Sequence, residues 1–538
     1  MTGEQHIRRL DALKSKRRFI ERSWKDAYDN TYPLRGQLIG LDGALTLDVN
    51  SAAKEKQSRI YDSSLRDSAR LLASALLSGL TPANSRWFSY TVVGLKGDED
   101  QEAEKWLSES SDIIWRNIHN CNYDITAYEF FIDYVCVGMP VMYIEQGNLD
   151  DGKLYNFRLW PLHSCYFADS TGKGMIDTVY RVFNLTAEQA VNEYGNKLSD
   201  EIIKAAVERP DSSFRFLQAI YPRGKNRKRN ELPIASEHVE LNSKRLIRKS
   251  GYHEMPVIVP RWMPIPDSVY SEGPVADALP DHKTLNEVVR LILANADLAI
   301  AGMWGVVDDG VINPKTITIG PRKVIVVGGK DSIFPLKSGT QFDVAQLEIH
   351  RLQGQIRRTL MSDQLHPQDG PQMTATEVHV RTQLIRQLLG PMYGRLQSEF
   401  LNPLVERCFG IAFRAGILGI PPESIQESIA KISYQSPLAK SQRLEDVAAM
   451  DRFEAALALT MQSGITDVLD NYDIDEAIRE RARLLGVPAK LIRDEKKVEK
   501  IRRDRAAVIE AAQQAQQQQE IQKAVIPMAI KGAMDAAA

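Results

Sequence analysis

DHKTLNEVVRLILANADLAIA, residues 281–301, places Leu285, Val288, Val289, Ile292, Ala296 and Ala299 at steps of three and four, with Asn286, Glu287, Arg290 and Asp297 off that stripe. The spacing returns to one face of a 3.6-residue turn and predicts an amphipathic helix of several turns. Pro280 is expected in its first turn, where the missing N–H would be unpaired anyway. A second stripe, Ala345, Ile349, Leu352, Ile356 and Leu360, begins after Phe342, with Arg357 and Arg358 between its members. Each helix would extend roughly 30 Å at about 1.5 Å per residue, and the two can pair along their apolar faces.

Between them the period changes. Val306 and Val307, the run 316–319 ending in Ile319, and Val324, Ile325, Val326 and Val327 are short apolar runs separated by Asp308-Asp309-Gly310 and Gly328-Gly329. They predict a small β module capping the helical pair. After Met361, Pro367, Gly370 and Pro371 stop the helix. Thr374-Ala375-Thr376-Glu377 has capping-box spacing and restarts it; this helix is expected to kink at Gly390-Pro391 and run to about residue 415.

The whole chain has 538 residues, 43% hydrophobic and 26% charged, with a formal net charge of −2. That length predicts several lobes rather than one. The near-neutral balance offers no overall attraction to phosphates, unlike the basic surplus of a protein that grips nucleic acid. The basic segment 1–22 lacks the apolar core of a signal peptide, and no run approaches the roughly 18 apolar residues that span a bilayer. Cys121, Cys136, Cys165 and Cys408 are dispersed, suggesting neither a disulfide framework nor a zinc site and pointing to a reducing cytoplasm.

Upstream, 1–31 reads as a charged helix with Leu10, Leu13, Phe19 and Ile20 as sparse apolar positions. A helix over 59–80 is followed by strand-like Trp87, Phe88, Tyr90, Val92 and Val93, then by helices over 102–119 and 123–137. A β-rich region opens with 141–145 and 154–160 and later includes 214–221 and 256–262; capped helices are expected at 186–194 and 200–208. Downstream, 441–462, 475–485 and 489–505 read as helices, and 509–538 is a Gln- and Ala-rich tail.

Chemistry-bearing motifs fail on inspection. Gly147 to Lys153 has GxxxxGK spacing, but Leu154 stands where a magnesium-holding Ser or Thr belongs, Asp150 and Asp151 would repel phosphate, and the flanks read strand-turn-strand. No HExxH or GxSxG occurs, and no cofactor or catalytic role is assigned. The densest positive cluster is Arg223, Lys225, Arg227, Lys228 and Arg229, joined by Lys244, Arg245, Arg248 and Lys249. It is either a solvated loop or an electrostatic contact for DNA or an acidic partner.

Four stretches, LASALLSGLTPANSRWF (72–88), GPVADALPDHKTLN (273–286), MTATEV (373–378) and LGVPAKLIRDEKKV (485–498), occur in the order and spacing of the podoviral head-to-tail connector, or portal, proteins of T7-like phages, and the chain resembles that family. The resemblance implies an α+β, mainly helical portal fold assembled into a ring, a dodecamer. It implies a wing over 1–270, stem helices at 271–302 and 340–361, and a clip at 303–339. A tunnel loop follows at 362–372, then a long kinked helix returning to the wing at 373–439, a crown at 440–508, and the tail. It implies a loop beside passing double-stranded DNA, with Gln364, His366, Gln368, Asp369 and Gln372 touching it without reading sequence. It implies partners in the terminase large subunit, tail adaptor proteins, and the major capsid and scaffolding proteins, at a capsid vertex assembled in the host cytoplasm and away from membranes. Subunit contacts are expected in the clip around Val306, Val307, Ile319 and Val324 to Val327. The competing readings are a nucleic-acid motor, which would need a nucleotide site, and a non-channel structural or scaffolding protein.

Overall fold

A computed structural model describes residues 1–37, 48–84, 86–90, 99–224, 228–301, 303–306, 333–336, 342–365, 390–422, 437–462, 472–485, 487, 493, 497–512 and 514. Among them helix predominates and every sheet is antiparallel, an α+β composition as expected. The chain forms two compact units, one of Met1–Phe88 with Ile113–Gly419, the other of Ser89–Asp112 with Ile420–Ala538.

In the first unit α1 (Gly3–Thr31) opens on a capping box between Thr2 and Gln5. Its buried stripe is His6, Leu10, Leu13, Arg17, Ile20, Trp24, Ala27, Tyr28 and Thr31. Phe19, expected on the apolar side, is 58% exposed. The stripe contains groups that an apolar count passes over, because their polar atoms are satisfied inside. The Arg17 guanidinium donates to the carbonyls of His163 at 2.8 Å and Cys165 at 2.7 Å and lies 3.9 Å over the Tyr166 ring.

Five strands, β3 (Cys165–Ala168), β4 (Thr178–Thr186), β5 (Ser213–Pro222), β6 (Ile234–Glu240) and β7 (Arg245–Tyr252), form a meander in chain order. One face buries Tyr166, Tyr180, Val182, Leu217, Ala219 and Val239 against Leu10 and Leu13 of α1. The other carries Phe216 and Ile247 against α7 (Ala187–Tyr194) and α8 (Asp200–Glu208), and α7 starts on the expected Thr186–Gln189 capping box. A second sheet, ordered β2 (Tyr155–Trp160), β1 (Val141–Gln146), β8 (Val257–Ile258), includes the expected first hairpin. Its connection is a turn: one short 3-10 turn at Leu149–Asp151 and Gly152 at φ +69 join the strands, as the failed phosphate-loop motif implied. The 256–262 expectation shrinks to Val257–Ile258; the Trp262 N–H goes to the Gly138 carbonyl, and β9 (Met263–Pro264) pairs with β10 (Ser271–Glu272) just beyond.

His6 shows what a buried polar position does here. Its Nε2 donates to Glu237 at 2.6 Å while Nδ1 accepts from the Tyr180 hydroxyl at 2.8 Å, and Tyr221 donates to the same carboxylate at 3.0 Å. Burial pushes the Glu237 carboxyl up, but the hydrogen bonds from His6 and Tyr221 outweigh it and hold it down at about 2. A depressed acid stabilises the fold above its unfolded value of about 4.5 and loses that contribution as pH falls toward about 2. The advantage of wild type over Glu237→Gln in urea midpoint should therefore correspond to about 3 kcal/mol near neutrality and vanish near pH 2; a pH-independent difference would contradict this linkage.

After α2 (Pro33–Gln37) and α3 (Asp48–Ser58), the helix expected over 59–80 begins later, as α4 (Ser64–Leu80), where Asp62 accepts the Ser64 N–H. Trp87, Phe88 and Tyr90 lie in a non-strand segment over 86–90. Trp87 and Phe88 are buried there all the same, and the Tyr90 N–H goes to Ser111 Oγ instead of a strand partner. Val92 and Val93 lie outside the described residues. Helices α5 (Glu99–Asn120) and α6 (Tyr123–Val137) match expectation.

In the second unit a helix over Pro437–Gln462 packs against one over Ile474–Leu485, where Arg481 bridges Asp451 and Glu454. Residues 497–512 are helical, and Arg502 pairs with Asp475 at 2.7 Å.

Candidate functional site

The site is built on α9 (Pro274–Ala301) and α10 (Phe342–Thr359), which lie against each other as the two stripes predicted. Helix α9, at 28 residues, extends about 40 Å at 1.5 Å per residue. The first-turn proline is Pro274, and Pro280 sits inside the helix, contrary to expectation. Val275, Ala278 and Leu279 are buried and extend the apolar stripe upstream, so tertiary packing carries helix across a residue that removes one i−4 donor.

At the base of α9 two glycines cross. Gly138, ending α6 at φ +74, leaves room for the backbone ahead of α9; a Cβ there would lie 2.3 Å from the Glu272 carbonyl oxygen. A Cβ on Gly273 would lie 2.6 Å from the Val135 oxygen. Ser271 Oγ donates to the Gly138 carbonyl at 2.6 Å, and Trp24 Nε1 to the Ser271 carbonyl at 3.1 Å. Further along, Asn286 accepts the Tyr61 N–H at 2.6 Å and donates to the Arg59 carbonyl at 2.8 Å. From α10, Gln353 donates to Asp62 at 2.9 Å. The α3–α4 connection thus laces both helices together.

At the far end β11 (Met303–Val306) and β12 (Ile333–Leu336) pair antiparallel, Met303 opposite Leu336 and Val306 opposite Ile333. The second of these strands was not anticipated, since Pro335 interrupts its pattern. Helix α10 buries Leu352 and Ile356, followed by Leu360. Leu291 (47%), Leu293 (52%) and Leu347 (73%) remain exposed on the single chain. His282 is fully buried with neither ring nitrogen hydrogen-bonded among the described residues, and burial holds its pKa down, so it is a neutral core group.

Of the residues expected beside DNA, Gln364 belongs to one helical turn, α11 (Ser362–Leu365), while His366, Gln368, Asp369 and Gln372 lie outside the described residues. So do Val307, Ile319, Val324, Ile325, Val326 and Val327 of the β module, and the capping box at 374–377. Helix α12 (Gly390–Leu396) runs through a π-helical turn, Gln397–Leu401, into α13 (Asn402–Arg414). That turn seats Glu399, which accepts from Arg261 Nε at 3.2 Å and from its backbone N–H at 2.9 Å.

In the basic cluster, Arg223 donates to the carbonyls of Leu232 and Ser250, Arg245 to that of Leu198, and Arg248 pairs with Glu193. Lys228 and Arg229 are exposed, and Lys225 and Arg227 lie outside the described residues. Among the described residues no group of His, Cys, Asp and Glu is placed to hold a metal ion, and no helix is long and apolar enough to cross a membrane.

A family model for the bacteriophage head to tail connecting protein matches residues 4–492. The probable portal protein of Bordetella phage BPP-1 is 25% identical over 541 residues, covering 95% of this chain and 92% of the relative. The portal protein of Salmonella phage epsilon15 is 25% identical over 542 residues with the same coverages. That of Enterobacteria phage T3 is 22% identical over 392 residues, 67% of each chain.

Proposed function

This chain belongs to the bacteriophage head-to-tail connecting protein family, and from that premise we infer that it is a portal subunit: one chain of the ring through which double-stranded DNA enters and leaves a capsid. Its work is mechanical rather than enzymatic. The single observation that carries the reading is the pair α9 and α10, strapped along their length to the α3–α4 connection and joined at one end by β11 and β12.

In this reading α9 and α10 are the stem, 303–339 the clip, 362–372 the tunnel loop and 373–439 the helix returning to the wing of 1–270. Residues 440–508 form the crown, with 509–538 as its tail. Twelve copies surround DNA, the loop touches it through polar groups without a sequence preference, and the clip shares strand edges between neighbours. The ring stands at a capsid vertex, assembles in the host cytoplasm, and meets the terminase large subunit, tail adaptors, capsid and scaffolding proteins. The near-zero net charge supports a passage that does not grip.

Leu291, Leu293 and Leu347 support the stem as a surface between subunits, since burying one leucine contributes about 1.5–3 kcal/mol and the ring repeats it at every interface. Electron microscopy of the purified protein should show closed rings with a duplex-sized hole, and Leu293→Asp with Leu347→Asp should leave folded monomers. Filaments or closed globules from the wild type would overturn the channel reading; intact rings from the double variant would overturn the stem interface.

A further inference from the structure

The three-stranded and five-stranded sheets of the first unit both line a cleft of about 930 Å3. On the five-stranded sheet the register sets Arg181 opposite Gln218, Gln218 opposite His238, and His238 opposite Arg248, one polar row across four strands. This row occupies the face that elsewhere carries Phe216 into the α7–α8 core. All four side chains line the cleft, as do Trp160 and Tyr143 from the facing sheet, whose rings stack at 4.5 Å. A row of such groups between two sheets is where apolar residues would otherwise interdigitate.

The charges in the cleft do not balance. Arg158 pairs with Glu145 at 2.9 Å and Arg248 with Glu193 at 2.6 Å, while Arg407 and Arg414 share the one carboxylate of Glu254. The Arg181 side chain has no ion pair or hydrogen bond among the described residues; its guanidinium lies 4.4 Å over Trp160 and 5.2 Å over Phe183. The five guanidinium groups lining the cleft thus meet three carboxylates, two of its lining and Glu254 next to it. Two buried donors of the cleft, Arg181 Nε and Trp160 Nε1, have no acceptor among the described residues. Nearby His238 accepts from the Tyr194 hydroxyl at Nδ1, and burial followed by the Arg248 and Arg181 charges holds it down at about 4, so it stays neutral and adds no positive charge of its own.

A half-buried guanidinium whose Nε–H is buried without an acceptor is costly, and its planar fork suits a phosphoryl group. We propose that this cleft binds a small phosphorylated molecule, its dianionic phosphoryl group seated on Arg181 and its remainder against the Trp160–Tyr143 wall. The excess of two positive charges matches a dianion, and the volume exceeds what one inorganic anion fills. The inference is independent of the channel reading, since it concerns none of the residues of α9, α10 or the strands that join them.

Isothermal titration of the full chain at constant ionic strength, with inorganic phosphate and separately with adenosine monophosphate, tests it. Saturable binding of either probe is expected. A response to both identifies the phosphoryl group as sufficient; a response to the nucleotide alone adds the aromatic wall. Arg181→Met should weaken binding on the order of 10- to 100-fold, the loss of a charge-assisted bond. Arg181→Lys keeps charge but not the fork, should weaken it about tenfold, and serves if circular dichroism shows the methionine variant unfolded. No saturable heat with either probe, or unchanged affinity in a folded Arg181 variant, overturns the proposal.

Discussion

Gly138→Ala is expected to destabilise the first unit by about 3–5 kcal/mol, as the sum of a non-glycine residue forced to positive φ and a clash that only backbone can relieve. The added Cβ would sit 2.3 Å from the Glu272 oxygen and 2.7 Å from the Gly273 nitrogen, neither of which can swing aside like a side chain. Glu272 and Gly273 immediately precede α9, so relief would shift the base of that helix and strain the bonds that Ser271 makes to Gly138 and Trp24. Gly152→Ala separates the two contributions: it has the same sign of φ, at +69, with nothing within 4 Å of the added carbon. That variant should lose only about 1 kcal/mol. Urea unfolding followed by tryptophan fluorescence measures both, and equal losses would refute the crossing as a close-packed joint.

Arg261→Ala is the second large effect, at about 3–5 kcal/mol, because it leaves the Glu399 carboxylate buried and uncompensated. Arg261 and Glu399 are 9% and 12% exposed, and the same guanidinium holds the Gly174 carbonyl at 2.6 Å. The partner sits in the π turn, beside Phe400, whose ring stacks on Phe130 at 4.7 Å. Replacing both charges, Arg261→Met with Glu399→Leu, should recover most of the loss, since an apolar pair of similar volume needs no desolvation. A double variant as unstable as the single one would show that the backbone bonds, and not the ion pair, carry the contribution.

How much of the fold is legible in the amino-acid sequence follows from how local each signal is. The α9 and α10 stripes, the Thr186 capping box and the β1–β2 hairpin are set by spacing within one element, and each was legible. The quoted block 273–286 contained Gly273 and Asn286, but not their reasons, which are Gly138 and Arg59, 135 and 227 positions away. Pro280 misled because its local cost is outweighed by Val275, Ala278 and Leu279 packing below it. Strands β6 and β7 were hidden because their cleft face is polar: His238 and Arg248 alternate with core positions that a search for apolar alternation discards. Arg17 and His6 escaped for the same reason, being core residues whose partners lie across the fold.

The long reach of these contacts bears on when the chain can close. The β2 residue Tyr155 donates its hydroxyl to the Cys408 carbonyl, and Arg407 reaches Ile144, separations of 253 and 263 positions. At roughly 5–20 residues per second of synthesis, β1 and β2 emerge some 10 to 50 s before α13 exists to cover them. Until then the three-stranded sheet stands with an open face, and closure waits on a slow, long-range search. Nascent subunits therefore pass through a sticky interval before any two of them are fit to join, and a cell that shortened it with a chaperone would be supplying the missing helix's cover.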